Sequence, residues 1–400
     1  MSIASRKSVR NGLAAAALVA ASVALMLVIA EVALRLVFPS AYLIWKPSFS
    51  TTFLPAPGVM PGVSGESRVQ TNSLGLRASE LTPADAYRIL TIGGSTTECL
   101  FLDQSETWPQ LVQDALNSNP KAPRTWVGNG GLSGRNSRHH VMALRHLPLG
   151  DMKVDAIVVL AGANDLSIQL SQGDAFDPMA LQKPDQQRKL IEETFTGMRR
   201  GNPHEPWLKQ TMLWQLARTL KAKVMGKPNT GLVQDRAGDT YVTWRKHRQE
   251  ATDIRPTLPD LSAGLDEYTR NLKEMAALAR ARSTRLILLT QPTMWGPGLP
   301  RELESLLWLG GIGEFQARPG QPYYAAEPLA EGLKRYNDAT LAVCKSEGLE
   351  CIDLTHLERD VSTYYDDFHF NENGAKKVAR IVSTYLRSKP PFSQAPSTPN

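Results

Sequence analysis

The stretch TIGGSTTECL, Thr91–Leu100, closes an apolar run, Arg88–Ile92, and leads toward a segment that reads as helix from Thr107 onward. The β-branched and aliphatic residues of that run predict a buried parallel strand, so Ser95 stands on a strand-to-helix turn. Two glycines before it let the chain fold tightly and let a ligand approach the backbone, the geometry that exposes a nucleophile at the carboxyl edge of a sheet. Gly93-Gly94-Ser95-Thr96 also reads as a plain turn, and the stretch alone does not choose between the two.

Working outward, apolar runs alternate with helical patterns. Strands are predicted at Arg88–Ile92, Thr125–Gly128, Ala156–Leu160, Arg285–Thr290 and Glu350–Leu354. Helices are predicted near Trp108–Asn117, Asn136–Leu147, Leu265–Ala281, Leu329–Lys345 and Glu372–Ser388. This alternation is the signature of an α/β domain with a mostly parallel five-stranded sheet flanked by helices, spanning 88–388. Two long connections, 167–261 and 293–325, leave the carboxyl ends of strands and are expected as helical insertions or a lid. The tail, 389–400, reads as disordered.

The chain has 400 residues, an apolar share of 42% and a formal charge of +6, which is ordinary for a globular protein with a full core. Acidic and basic residues are mixed along most of the sequence, so nothing points to nucleic acid. Basic excess is local, at Arg188-Lys189, Arg199-Arg200, Arg218 to Lys223 and WRKHR (Trp244–Arg248). Those clusters read as solvated faces or as surfaces drawn to anionic lipid heads or acidic glycans.

At the N-terminus, Arg6, Lys7 and Arg10 precede an uncharged stretch, Gly12–Ala30, close to the ~20 residues needed to cross a bilayer. The apolar chain continues past the small-residue site at Ser22-Val23-Ala24, which favours an uncleaved anchor at 12–34 over a cleaved signal. Residues 1–11 are then cytoplasmic by the positive-inside rule, 35–87 form a linker and strap, and the rest lies outside, in the periplasm of a Gram-negative cell. Cys344 and Cys351 flank a helix end, a glycine turn and a strand start, so their side chains can meet, leaving Cys99 unpaired. No Cys-x-x-Cys or His-Glu-x-x-His spacing occurs, so a structural zinc or zincin site has no support.

Three further stretches lie at strand edges. VGNGGLSGRNS (Val127–Ser137) is a glycine-rich loop whose amides can face a ligand, and LAGANDL (Leu160–Leu166) presents the Asn164 amide. YYDDFHFNENGAKKVA places Asp366 three residues before His369, a spacing that lets a carboxylate orient an imidazole toward a nucleophile. Asp353 and His356 repeat that spacing, and spacing alone does not separate the pairs.

Together the four stretches resemble the SGNH hydrolases, the GDSL family of esterases and lipases, over roughly Arg88 to Leu386. The blocks occur in the family's order. The resemblance implies a flavodoxin-like three-layer sandwich with Ser95 as nucleophile, and an oxyanion hole of the Ser95 and Gly134 N–H groups and the Asn164 amide. It also implies Asp366 and His369 as the remaining pair, since the family's histidine block runs through a glycine into a helix, as HFNENGAKKVA does and HLERDVS does not. The Asp that usually precedes the serine is Gly94 here, and a glycine common a few residues later is Cys99. The GGST form looks like a membrane-anchored bacterial subgroup carrying a segment such as TNSLGLR (Thr71–Arg77).

The resemblance implies ester hydrolysis through an acyl-enzyme, which needs neither a metal nor an organic cofactor. A tethered extracytoplasmic esterase with basic, tryptophan-bearing insertions fits O-acyl esters, O-acetyl foremost, on envelope or exported carbohydrate, with the insertion tryptophans stacking on sugars or belonging to the core. Acyl transfer to sugar, a non-hydrolytic role in polysaccharide modification, and lipid or thioester hydrolysis remain as alternatives.

Overall fold

The predicted apolar runs form five strands: β1 (Tyr87–Gly93), β2 (Thr125–Gly131), β3 (Ala156–Leu160), β4 (Arg285–Leu289) and β5 (Glu350–Ile352). All pair in parallel, in the order β5-β4-β3-β1-β2. The computed structural model describes residues 3–37, 42–196, 206–224, 230–313 and 318–393. Every residue of β2 and β3 is buried, as expected for a parallel sheet covered on both faces. Helices Trp108–Asn117 and Glu372–Arg387 pack on each other, and Ser137–His146, Ser262–Arg280 and Ala326–Glu347 form a second group. The architecture is thus an α/β fold of flavodoxin-like order, whose direction reverses between β1 and β3. That reversal opens a crevice at the carboxyl edge, where such sheets take ligands.

By its internal contacts the chain divides into two compact units, Met1–Tyr42 with Met198–Pro228, and Leu43–Gly197 with Asn229–Asn400. The first holds a helix, Ile3–Val37, whose segment Leu13–Leu36 has a mean hydropathy of 2.7 and is long and apolar enough to cross a membrane. It also holds the helix Met212–Val224.

In the second unit, chain that reads as linker is built into the domain. Ser50–Pro55 pairs antiparallel with Ser67–Gln70 and parallel with Thr230–Ala237. The long insertion is therefore not purely helical: it supplies a strand whose partner lies far away in sequence. Pro55 and the prolines that follow mask the strand character of Ser50–Leu54. Arg199–Arg200 and residues 394–400 lie outside the described residues.

TNSLGLR is a strap. Arg77 is buried, and its guanidinium donates to Gln104 Oε1 (2.9 Å) and to the carbonyls of Glu98 (2.7 Å), Cys99 (2.8 Å), Leu102 (2.6 Å) and Arg68 (3.3 Å). Of these, the Glu98 and Cys99 carbonyls end the short helix that begins at Ser95. Cys99 caps that helix at φ +52°, a left-handed conformation that favours glycine. Its thiol is buried and pushed up to about 12 by that burial, so it stays protonated. Cys344 and Cys351 form a disulfide. Arg77→Met leaves several buried carbonyls without donors and is expected to destabilise the fold by ~3 kcal/mol or more. A melting temperature equal to that of the unaltered protein would refute this.

Candidate active site

β1 ends at Gly93, and the helix Ser95–Glu98 starts two residues later with Gly94 as its cap. A Cβ on Gly94 would sit 2.4 Å from Asn164 Nδ2 and 3.1 Å from the Arg135 carbonyl. A side chain there would have to displace Asn164 or the Arg135 carbonyl. Ser95 is half-buried, and its N–H makes no hydrogen bond among the described residues.

Opposite it, the loop before the last helix folds back on itself. Tyr364 bridges to Phe370, and the Tyr365 N–H donates to the His369 carbonyl (3.1 Å). The turn carries His369 Nε2 to 2.6 Å from Ser95 Oγ, while Nδ1 lies 2.8 and 2.7 Å from the two Asp366 oxygens. With Nδ1–H donating to the carboxylate, Nε2 is left bare to accept the serine proton. The imidazole stacks on Tyr365 at 5.5 Å with an interplanar angle of 8°.

Asp366 is fully buried. It also accepts from the backbone N–H groups of Phe368 (3.1 Å) and His369 (2.9 Å) and from the Trp308 indole (2.9 Å). Burial pushes its carboxyl up, but His369, Trp308 and the backbone donors outweigh that and hold it below the ordinary carboxylate range. The competing pair is separate from this arrangement. Asp353 accepts from Thr290 Oγ1 (2.7 Å) and Thr355 N (3.0 Å), closing the turn after β5, and His356 is exposed.

The third group lies between these. Asn164 stands near the start of the helix Ala163–Gln172 and donates one amide hydrogen to the Arg135 carbonyl (2.8 Å), leaving the second uncommitted. Gly134 adopts φ +75°, a backbone conformation that excludes most side chains. It sits between Ser133, whose hydroxyl bonds Glu98, and Arg135, so both flanks are tied to the Ser95–Glu98 helix or to Asn164. The Gly134 N–H makes no hydrogen bond among the described residues. The open depression above Ser95, about 220 Å³ with its mouth, is lined by Gly94, Ala161, Gly162, Asn164 and Phe368 among others.

Several residues that complete this geometry carry no signal in the motifs. Asp367 turns away from Asp366 and accepts from Trp295 Nε1 (2.7 Å) and Trp308 N (2.9 Å), anchoring the second insertion under the histidine loop. Arg245 donates to the Tyr365 carbonyl (2.9 Å), and Arg248 to the carbonyls of Leu309 (2.6 Å) and Tyr324 (2.8 Å). Two cations of WRKHR are therefore buried braces, not part of a solvated face. Trp244 stacks on Trp308 (4.5 Å, 28°), within the aromatic packing beside the histidine loop. Adjacent Asp366-Asp367 was the available hint, since two neighbouring buried carboxylates need separate donors.

Burial, then the Asp366 charge, pushes the Asp367 carboxyl up to about 6 against the opposing pull of Arg248 and its indole and backbone donors. An unfolded Asp titrates near ~3.9. The stability linked to this group is complete below that value and is lost as pH rises through about 6. The melting temperature of Asp367→Asn is expected to gain on that of the unaltered protein across this window. A difference independent of pH would show that Asp367 does not titrate there.

A model of the GDSL-like lipase/acylhydrolase family matches residues 91–377. The chain belongs to that family. Such an acylhydrolase is an ester-cleaving enzyme, and Ser95, Asn164, Asp366 and His369 all lie inside the matched region. No curated protein matches the chain. Similar solved structures include an alpha/beta hydrolase enzyme from the metagenome of Lake Arreo, Spain, at 12% identity, covering 79% of this chain and 100% of that one, TM-score 0.39. Axe2, an acetylxylan esterase from Geobacillus stearothermophilus, is 13% identical, covering 78% of this chain and 96% of its own, TM-score 0.40. A GDSL-like lipase from Bacteroides thetaiotaomicron VPI-5482 is 12% identical, covering 77% and 92%, TM-score 0.37. Among the described residues, no cluster of three or more His, Cys, Asp or Glu side chains is arranged to hold a metal.

Proposed function

We propose that the protein is a membrane-anchored, extracytoplasmic serine esterase that removes small O-acyl groups, O-acetyl foremost, from envelope or exported carbohydrate. The observation that carries this reading is the continuous line from Ser95 Oγ through His369 to the buried Asp366, at 2.6 and 2.7 Å. Ser95 Oγ attacks the ester carbonyl as its proton passes to His369 Nε2, and Asp366 stabilises the resulting imidazolium. The N–H groups of Ser95 and Gly134 and the second amide hydrogen of Asn164 receive the oxyanion. His369 then returns the proton to the departing alcohol. Water, deprotonated by the same imidazole, attacks the acyl-enzyme, and the imidazolium passes that proton to Ser95 Oγ as the acyl–oxygen bond breaks and the acid leaves.

The depression above Ser95 is shallow and closely walled by Leu160, Ala163, Gln291 and Phe368, which supports a short acyl group. The apolar helix preceded by Arg6, Lys7 and Arg10 supports an anchor with its N-terminus inside. The test is the chain-length profile of the full-length enzyme. Turnover of p-nitrophenyl acetate is expected to exceed that of the octanoate at least ~10-fold, in line with a pocket that rejects extra methylenes. Preference for the octanoate would replace this reading with lipid hydrolysis. Acceleration by a sugar acceptor above the hydrolytic rate would turn it into acyl transfer. Accumulation of an O-acylated polymer in a strain lacking the protein identifies the substrate.

A further inference from the structure

In the first unit the apolar helix is not the only candidate for contact with lipid. Trp207, Leu208, Trp214, Leu216 and Leu220 remain 72, 54, 47, 45 and 52% exposed. The same stretch supplies Lys209, Arg218, Lys221 and Lys223, and no acidic residue occurs between Glu205 and Asp235. Apolar side chains with two tryptophans and charged residues that are all basic form the composition of a helix lying in a membrane interface. A soluble surface has no reason to leave so many large apolar groups uncovered.

Depth along the anchor supplies an independent measure. Glu31 of the helix Ile3–Val37 accepts from the N–H groups of Met212 (2.9 Å) and Leu213 (3.0 Å), capping the second helix, and its charge is offset by Arg35 (2.8 Å). From Gly12, where the uncharged stretch begins, to Glu31 is about 28 Å of helix at ~1.5 Å per residue. A bilayer's hydrocarbon core is ~30 Å thick. With Gly12 at the inner boundary, Glu31 reaches the outer one. The capped end of the second helix therefore stands at headgroup level, where a paired carboxylate and two tryptophans are tolerated.

We propose that the segment Trp207–Val224, with its helix Met212–Val224, is an interfacial element that lies in the outer leaflet of the membrane crossed by Gly12–Ala30 and, by its net positive charge, favours anionic headgroups. This rests on the anchor reading above. It gives the enzyme a second attachment and assigns part of the long insertion to the lipid surface and not to carbohydrate.

The test uses the full-length chain in vesicles of phosphatidylcholine and phosphatidylglycerol whose acyl chains are brominated near the headgroup. The anchor contains no tryptophan, and Trp108, Trp126, Trp295 and Trp308 are buried in the catalytic unit. Bromolipid is expected to quench a fraction of the tryptophan emission, and W207F/W214F to reduce that fraction at least five-fold, without change in esterase rate. Quenching of the unaltered protein should rise as phosphatidylglycerol is increased, and Lys221→Gln should reduce that rise; quenching independent of phosphatidylglycerol overturns the preference for anionic headgroups. Resistance to alkaline carbonate reports the spanning helix separately. Carbonate-resistant protein whose quenching is absent, or unchanged in W207F/W214F, overturns the interfacial helix alone and indicates a protein partner over that face. Protein fully released by carbonate overturns the anchor and this inference together.

Discussion

Ser95→Ala is expected to bring hydrolysis of p-nitrophenyl acetate down to the buffer rate, a fall of ~10⁴ or more in kcat, as for loss of the nucleophile in other serine triads. The hydroxyl is half-buried and its side-chain bond is to His369 Nε2, so the melting temperature should stay within a degree or two. An organophosphonate should add one equivalent to the unaltered protein and none to the variant. A variant that keeps its rate, or that is still labelled at a single serine, removes Ser95 from the chemistry.

The second large effect separates the two Asp-x-x-His pairs. His369→Ala is expected to lower kcat by ~10³ or more, through loss of the general base. His356→Ala, at an exposed turn, should leave the rate within a few-fold. Asp366→Asn should approach the histidine effect, because four donors converge on that carboxylate: His369 Nδ1, Trp308 Nε1 and the backbone N–H groups of Phe368 and His369. An amide there turns an NH₂ toward donors and disturbs the imidazole tautomer, for which a fall of up to ~10⁴ has physical precedent. The measurement is kcat for all three variants after each has been shown to be folded. Loss in His356→Ala with His369→Ala unaffected would transfer the role to the other pair.

Much of this was legible because the relevant patterns are local. A buried strand writes itself as a short apolar run, and all five central strands are where such runs occur. β2 runs on to Gly131, since glycines there keep the ladder to β1 through Gly93 while lacking the β-branched signature. The outer three-stranded sheet was not legible. Ser50–Pro55 is proline-bounded, and its parallel partner Thr230–Ala237 lies in a polar insertion.

What the sequence by itself determined is the set of chemical groups and their immediate settings: a serine behind two glycines at a strand end, an amide at the next edge, an Asp-x-x-His in a loop entering a helix, and an apolar helix after a basic start. Only the tertiary structure decided which Asp-x-x-His faces Ser95, what a side chain at Gly94 would displace, and what holds the pieces still. Trp308 meets Asp366 across 58 residues, Arg77 reaches the end of the Ser95–Glu98 helix across 21, and Asn164 fills the space beside Gly94 from the first turn of another helix. Periodicity and spacing report only which neighbours share a face or a turn. Contacts between elements depend on how whole strands and helices stack, and no short window of residues carries that information.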